Sequence, residues 1–111
     1  MGKFIKGDVV VVPFPFSDLS ASKRRPALVL VDLIGDDLIL SQITSQAVSD
    51  TMAIPIDNTD FANGGLSIVS NVRPNKLFTA DESIVLYKAG KLNSDITDKI
   101  IDDVTKMFNG T

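Results

Sequence analysis

The sequence contains no cysteine and no histidine. The first absence removes any disulfide framework and all thiolate chemistry. The second removes the commonest general base, the commonest neutral metal ligand and every Ser–His or Cys–His arrangement. Tryptophan is also missing, and six Phe and one Tyr are the only aromatics. Arginine occurs three times, as Arg24, Arg25 and Arg73. Long apolar runs are absent too: the longest, Val9 to Phe16, spans eight residues, holds two prolines and is far too short to cross a bilayer. Lys3 and Lys6 lead into no apolar h-region and no cleavage site, so no signal peptide, no membrane partner and a cytoplasmic location are expected.

What is present describes a small folded domain. A length of 111 residues, 44% of them apolar and spread in short runs, is expected to form one domain, residues 1–111, with a modest core. The net charge is −3 and the pI about 4.7. That balance excludes a large basic groove but not a local basic site. The three arginines occupy two short segments, while Asp95, Asp98, Asp102 and Asp103 crowd the C-terminal region.

The pattern predicts a mainly β protein. Val9 to Val12 reads as a strand buried on both faces, and Pro13 and Pro15 place its end at an edge or outside the sheet. Ser17 to Ser22 is small and polar, which predicts an exposed loop. Ala27 to Asp32 and Leu38 to Ile43 form a hairpin around Gly35-Asp36-Asp37. Met52 to Ile56 is an edge strand because of Pro55. Asp57 to Gly65 reads as a loop, Leu66 to Val69 as a strand that Ser70 to Arg73 continues or ends, and Ser83 to Tyr87 as the last strand. A cap at Ser94, then Ile96, Ile100, Val104 and Met107 or Phe108, predicts a terminal helix that Asn109-Gly110 stops. Several short strands and one helix predict a partly open antiparallel barrel.

Three elements carry candidate chemistry. Lys23-Arg24-Arg25-Pro26 sets a cation cluster at a strand start, and a planar guanidinium grips phosphate through two parallel hydrogen bonds. Arg25 adjoins the strand and Arg24 is expected to point the other way. Thr44, followed by Ser45 and Gln46, ends an apolar strand, where a hydroxyl can donate to a phosphate or a developing oxyanion. The plain alternative is a strand-end threonine that bonds its own backbone. Arg73, Asn75 and Lys76 place two cations and an amide within four residues; the plain alternative is a turn built on Pro74-Asn75. The expectation is that Arg25, Arg73 and Thr44 converge into a pocket for an RNA phosphate. Asp36, Asp37, Asp57 and Asp60 match no calcium-loop spacing, so no metal and no other cofactor are expected. The apolar stripe of the helix is read as packing on the barrel.

Gly7-Asp8-Val9-Val10, Arg24-Arg25-Pro26-Ala27-Leu28-Val29, Ile43-Thr44-Ser45 and Val72-Arg73-Pro74-Asn75-Lys76-Leu77, in this order, resemble the PemK/MazF toxins of bacterial type II toxin–antitoxin systems. The likeness spans nearly the whole chain. It implies an SH3-like barrel of the PemK/MazF/CcdB type with a C-terminal α-helix, and a homodimer. It also implies an mRNA interferase: a metal-independent endoribonuclease that cuts single-stranded RNA at short sequences, leaving a 2′,3′-cyclic phosphate and a 5′-OH. The cognate antitoxin would be a small protein with a disordered acidic tail. The family's catalytic Arg and Thr fall on Arg25 and Thr44, and a further catalytic Arg of some members falls on Arg73. RNA contacts are implied for Lys23, Arg24, Ser45 and Gln46, for Asn75 and Lys76, and for Ser17 in the segment that gates the groove in relatives. Asn75 departs from the family: some members carry Asp there, and an amide cannot act as a base. The gating loop also lacks a histidine that some members have.

Three other readings compete. A gyrase-directed toxin of the same fold relies on a Trp-containing tail, which this chain lacks. A proline-rich-ligand module needs an aromatic-lined groove, and the aromatics here cluster only at Phe14 and Phe16. A weak or inactive family member that binds antitoxin or RNA without cutting is compatible with Asn75.

Overall fold

Four consecutive valines suit a strand with no wet face, and that is where the chain puts them. The computed structural model describes residues 3–14, 23–46 and 49–110. Strand β1 (Asp8–Phe14) lies between β2 (Lys23–Asp32) and the strand Tyr87–Leu92. Val9 packs into a first core with Leu28, Leu30, Ile43, Ile54, Val72 and Leu92. Val10 and Val12 pack into a second core with Ala27, Val29, Leu38 and Leu40 on the other face. Each of the valine, leucine and isoleucine side chains among these, when fully buried, contributes roughly 1.5–3 kcal/mol of hydrophobic free energy. Pro13 still pairs with Arg24 of β2, while the pairing on the other flank of β1 stops at Val11. The proline thus sits where the sheet is one-sided and its missing N–H leaves no gap in a ladder.

The remaining strands are β3 (Asp37–Thr44), β4 (Ile54–Ile56), β5 (Phe61–Gly64), β6 (Ser70–Asp81) and β7 (Tyr87–Leu92), followed by helix α1 (Ser94–Asn109). All pairings are antiparallel, in the order β4-β6-β3-β2-β1-β7-β5. The result is a curled seven-stranded half-barrel, the SH3-like form expected. Pro55 sits on terminal strand β4, the edge position its missing N–H requires. The helix lays Ile100 and Val104 into the first core, with Ile96 and Ile101 half-buried beside them. Gly110 stops it in the left-handed region at φ 75°, its N–H bonding the carbonyls of Lys106 and Met107.

Four expectations need correction. The helix cap is Asn93, not Ser94, and its side chain does not cap: the amide donates to the Thr59 carbonyl at 3.2 Å, tying the helix start to the loop before β5. Leu66 to Val69 is not a strand. Leu66 N–H bonds the Asn58 side chain and the Ser70 hydroxyl bonds the Ile68 carbonyl, so the chain turns, leaving Ile68 and Val69 exposed. The last strand runs Tyr87–Leu92, because Asp81 accepts the Ser83 N–H at 2.8 Å and winds residues 82–84 into a 3₁₀ turn. Finally, the Asp57–Gly65 stretch contains a 3₁₀ turn, closed by reciprocal Asp57 and Asp60 caps, and strand β5. Strand β5 crosses β7 so closely that a Cβ on Gly90 would lie 2.5 Å from the Asn63 carbonyl oxygen.

Strand β6 runs straight through Pro74, which is buried. Its register with β3 shows how: Leu77 pairs with Ser41 and Val72 with Ile43. The stretch Arg73 to Lys76 therefore stands opposite the single residue Gln42 as a wide bulge. The Ser41 hydroxyl donates to the Arg73 carbonyl at 2.7 Å and anchors its start.

Candidate functional site

Register decides which candidate side chains share a face, because directly opposed residues in an antiparallel pair project to the same side. Arg25 stands opposite Val12, whose side chain enters the second core, so Arg25 lies on that face. Ala27 opposes Gln42. Two residues further along these neighbouring strands come Arg25 and Thr44, on one face at the same end. Thr44 pairs with Asn71 of β6, and Arg73 follows Asn71 on the same side, since Val72 between them enters the first core. The structure thus puts Arg25, Thr44 and Arg73 on one face of adjacent strands β2, β3 and β6. Two inter-strand spacings separate the outer pair, about 10 Å of backbone.

Local surroundings restrain each group. The Nε atoms of Arg25 and Arg73 are both buried. Thr44 is 8% exposed, and its hydroxyl accepts the Gln46 N–H at 3.2 Å. The strand-end backbone bond anticipated as the plain alternative is therefore real. It is no obstacle to a functional role, because a hydroxyl that accepts an N–H keeps its own proton to donate.

Arg24, one residue from Arg25, projects to the other face as expected. There it lines a cleft of about 280 Å³ with Val11, Pro26, Ser45, Ser70 and Tyr87. Ser45 thus groups with Arg24 and not with Thr44. Lys23 and Gln46 are exposed, as are Asn75 and Lys76 on the bulge. Ser17 and the loop expected at Ser17 to Ser22 lie outside the described residues.

Sequence reading missed Asp50. It lies between β3 and β4, and its Oδ2 sits 3.4 Å from Nη2 of Arg73, with the two side chains 15% and 21% exposed. Its Oδ1 accepts the Met52 N–H at 2.9 Å. The Met52 N–H is the main cause holding this carboxyl below its usual range; burial opposes it, and hydrogen bonds from Asn75 and Arg73 add to it. No local motif announces Asp50, since Ser49-Asp50-Thr51 reads as ordinary turn chemistry. Among the described residues no three His, Cys, Asp or Glu side chains gather as a metal site. None of their helices is long and apolar enough to cross a membrane.

A family model described as PemK-like, MazF-like toxin of type II toxin-antitoxin system matches residues 5–108. The chain belongs to this family. Its fold is similar to that of an endoribonuclease in complex with its cognate antitoxin from a mycobacterial species, with TM-score 0.75, 11% identity, and 96% and 95% of the two chains covered. It is also similar to MazE–MazF from Deinococcus radiodurans, at TM-score 0.73, 16% identity and 96% of each chain. The Mycobacterium tuberculosis toxin MazF-mt6 matches at TM-score 0.71 and 15% identity, over 92% of this chain and 96% of the toxin. A comparison with curated proteins finds no match.

Proposed function

We propose that this protein is a sequence-selective, metal-independent endoribonuclease toxin that cleaves single-stranded RNA and is neutralised by a cognate antitoxin. The observation that carries the reading is the shared face of Arg25, Thr44 and Arg73 on three adjacent strands, in a chain of the PemK/MazF family. Arg25 and Arg73 bracket the scissile phosphate and stabilise the charge that builds on its non-bridging oxygens. Thr44 donates its hydroxyl proton to the same group. As the 2′-OH loses its proton, its oxygen bonds to phosphorus. The P–O5′ bond breaks and the leaving oxygen takes a proton, giving a 2′,3′-cyclic phosphate and a 5′-OH. Rigid strands hold Arg25 and Thr44 in place beforehand, which is the condition for electrostatic catalysis without reorganisation.

Lys23, Gln46 and Lys76 extend the contact to flanking nucleotides, and the Arg24–Ser45 cleft receives RNA beyond the cut. The functional form is a homodimer in the cytoplasm, and the antitoxin's acidic tail competes for the guanidinium groups. A second reading, a weak or inactive member that binds without cutting, draws on Asn75, which cannot accept a proton.

The test is incubation with long single-stranded RNA in EDTA. Metal-free cleavage is expected, reduced at least about a hundredfold by Arg25→Ala and by Thr44→Ala, the scale of losing a main transition-state donor. Arg24→Ala is expected to be milder. Cleavage surviving Arg25→Ala removes the site, and absence of cleavage favours the second reading.

A further inference from the structure

Arg73 lies on a bulge that has left the β3 ladder, so its backbone alone does not hold its side chain on target. A four-bond side chain on such a stretch would sample many rotamers and lose effectiveness at each one. Two observations show how it is held. Nε of Arg73 is buried, and Nη2 meets the Asp50 carboxylate at 3.4 Å. Asp50 is itself fixed, through its other oxygen, by the Met52 N–H at 2.9 Å, and the Ala53 N–H bonds the Asp50 carbonyl at 3.2 Å. Asn75, two residues beyond Arg73 on the bulge, adds to the lowering of this carboxyl's pKa through its side-chain amide.

We propose that Asp50 is the positioning residue of this site: its carboxylate clamps one edge of the Arg73 guanidinium and turns the other edge to the RNA phosphate. This rests on the proposed endoribonuclease function. It assigns a role to a residue on an irregular loop between β3 and β4, and it gives Asn75 a purpose that suits an amide. Asn75 donates to the carboxylate, fixing the clamp without adding a second negative charge that would compete with phosphate for Arg73.

The experiment is a charge relocation. Asp50→Asn keeps an oxygen for the Met52 N–H, so the turn survives, but sets an amide where the carboxylate met Arg73. The expected result is a ten- to hundredfold fall in kcat with KM changed less than about threefold, the signature of an interaction that acts in the transition state. Adding Asn75→Asp returns a carboxylate to the cluster from the bulge side. The double variant is expected within about fivefold of the wild-type rate, a rescue that a merely structural Asp50 would not show.

A second readout is independent of cleavage. Solvent exchange of the Arg73 guanidinium protons, followed by NMR, should be slow in the wild type, fast in Asp50→Asn and slow again in the double variant. Full activity or faster cleavage in Asp50→Asn overturns the clamp, the latter by showing that the carboxylate competes with RNA. Absence of rescue overturns it as well. If the wild type cuts no RNA, the functional reading fails by itself, and the exchange pattern then decides whether Asp50 holds Arg73.

Discussion

At the scale of single residues, neighbours in sequence serve different surfaces. Arg24 and Arg25 differ in face because strand side chains alternate, and that division was legible from the Arg-Arg-Pro placement alone. Thr44 was legible as the last residue of an apolar strand. Asp50 was not, because its importance comes from a contact made across 23 residues of sequence. Its lowered pKa has a measurable consequence. A carboxyl whose folded value lies below the unfolded one stabilises the fold above the unfolded value and loses that effect as pH falls through the folded one. Wild type is therefore expected to exceed Asp50→Asn in urea midpoint at neutral pH. The gap should persist down to the ordinary carboxyl value of 3.8 and close below it. A gap that stays constant with acidification would mean that the carboxylate charge is not what Asp50 contributes.

At the scale of elements, hydrophobic pattern revealed whatever packs against a core and missed whatever is held by polar caps. The valine strand, the hairpin and the helix stripe all show their periods. Strand β7 does not, since Lys88, Gly90 and Lys91 interrupt its apolar pattern, and β5 is disguised by Asn63-Gly64. Both are held by a backbone crossing that only small residues permit. Gly90→Ala would place a methyl 2.5 Å from the Asn63 carbonyl oxygen and 2.9 Å from the Gly65 nitrogen, contacts with rigid backbone. A destabilisation of about 2 kcal/mol is expected, in the range for overpacked interiors. Chemical denaturation would show it as a lowered midpoint with unchanged slope.

At the scale of the whole molecule, an acidic chain is proposed to bind a polyanion. The conflict dissolves if contact is confined to a few guanidinium groups while the carboxylates of α1, such as Asp98 and Asp102, stay exposed. This arrangement predicts weak salt sensitivity. Single strands release about 0.7 counterion per neutralised phosphate, so Lys23, Arg24, Arg25, Arg73 and Lys76 together give a log–log slope no steeper than about −3.5. Anisotropy titrations of an uncleavable 2′-deoxy-substituted RNA between about 50 and 200 mM salt would measure it. A slope beyond about −5 would require a far larger basic surface than this site offers.

The wide bulge in β6 has one more implication. The residues from Arg73 to Lys76 stand outside the β3 ladder, while Val72 on one side and Leu77 on the other keep their partners. An exposed side chain there, such as Lys76, is expected to be exchangeable without shifting either flanking register. The scaffold thereby separates the ladders that must stay constant for folding from a short stretch that carries Arg73 and Asn75 for the proposed site and presents exposed Lys76 as its one position free to vary.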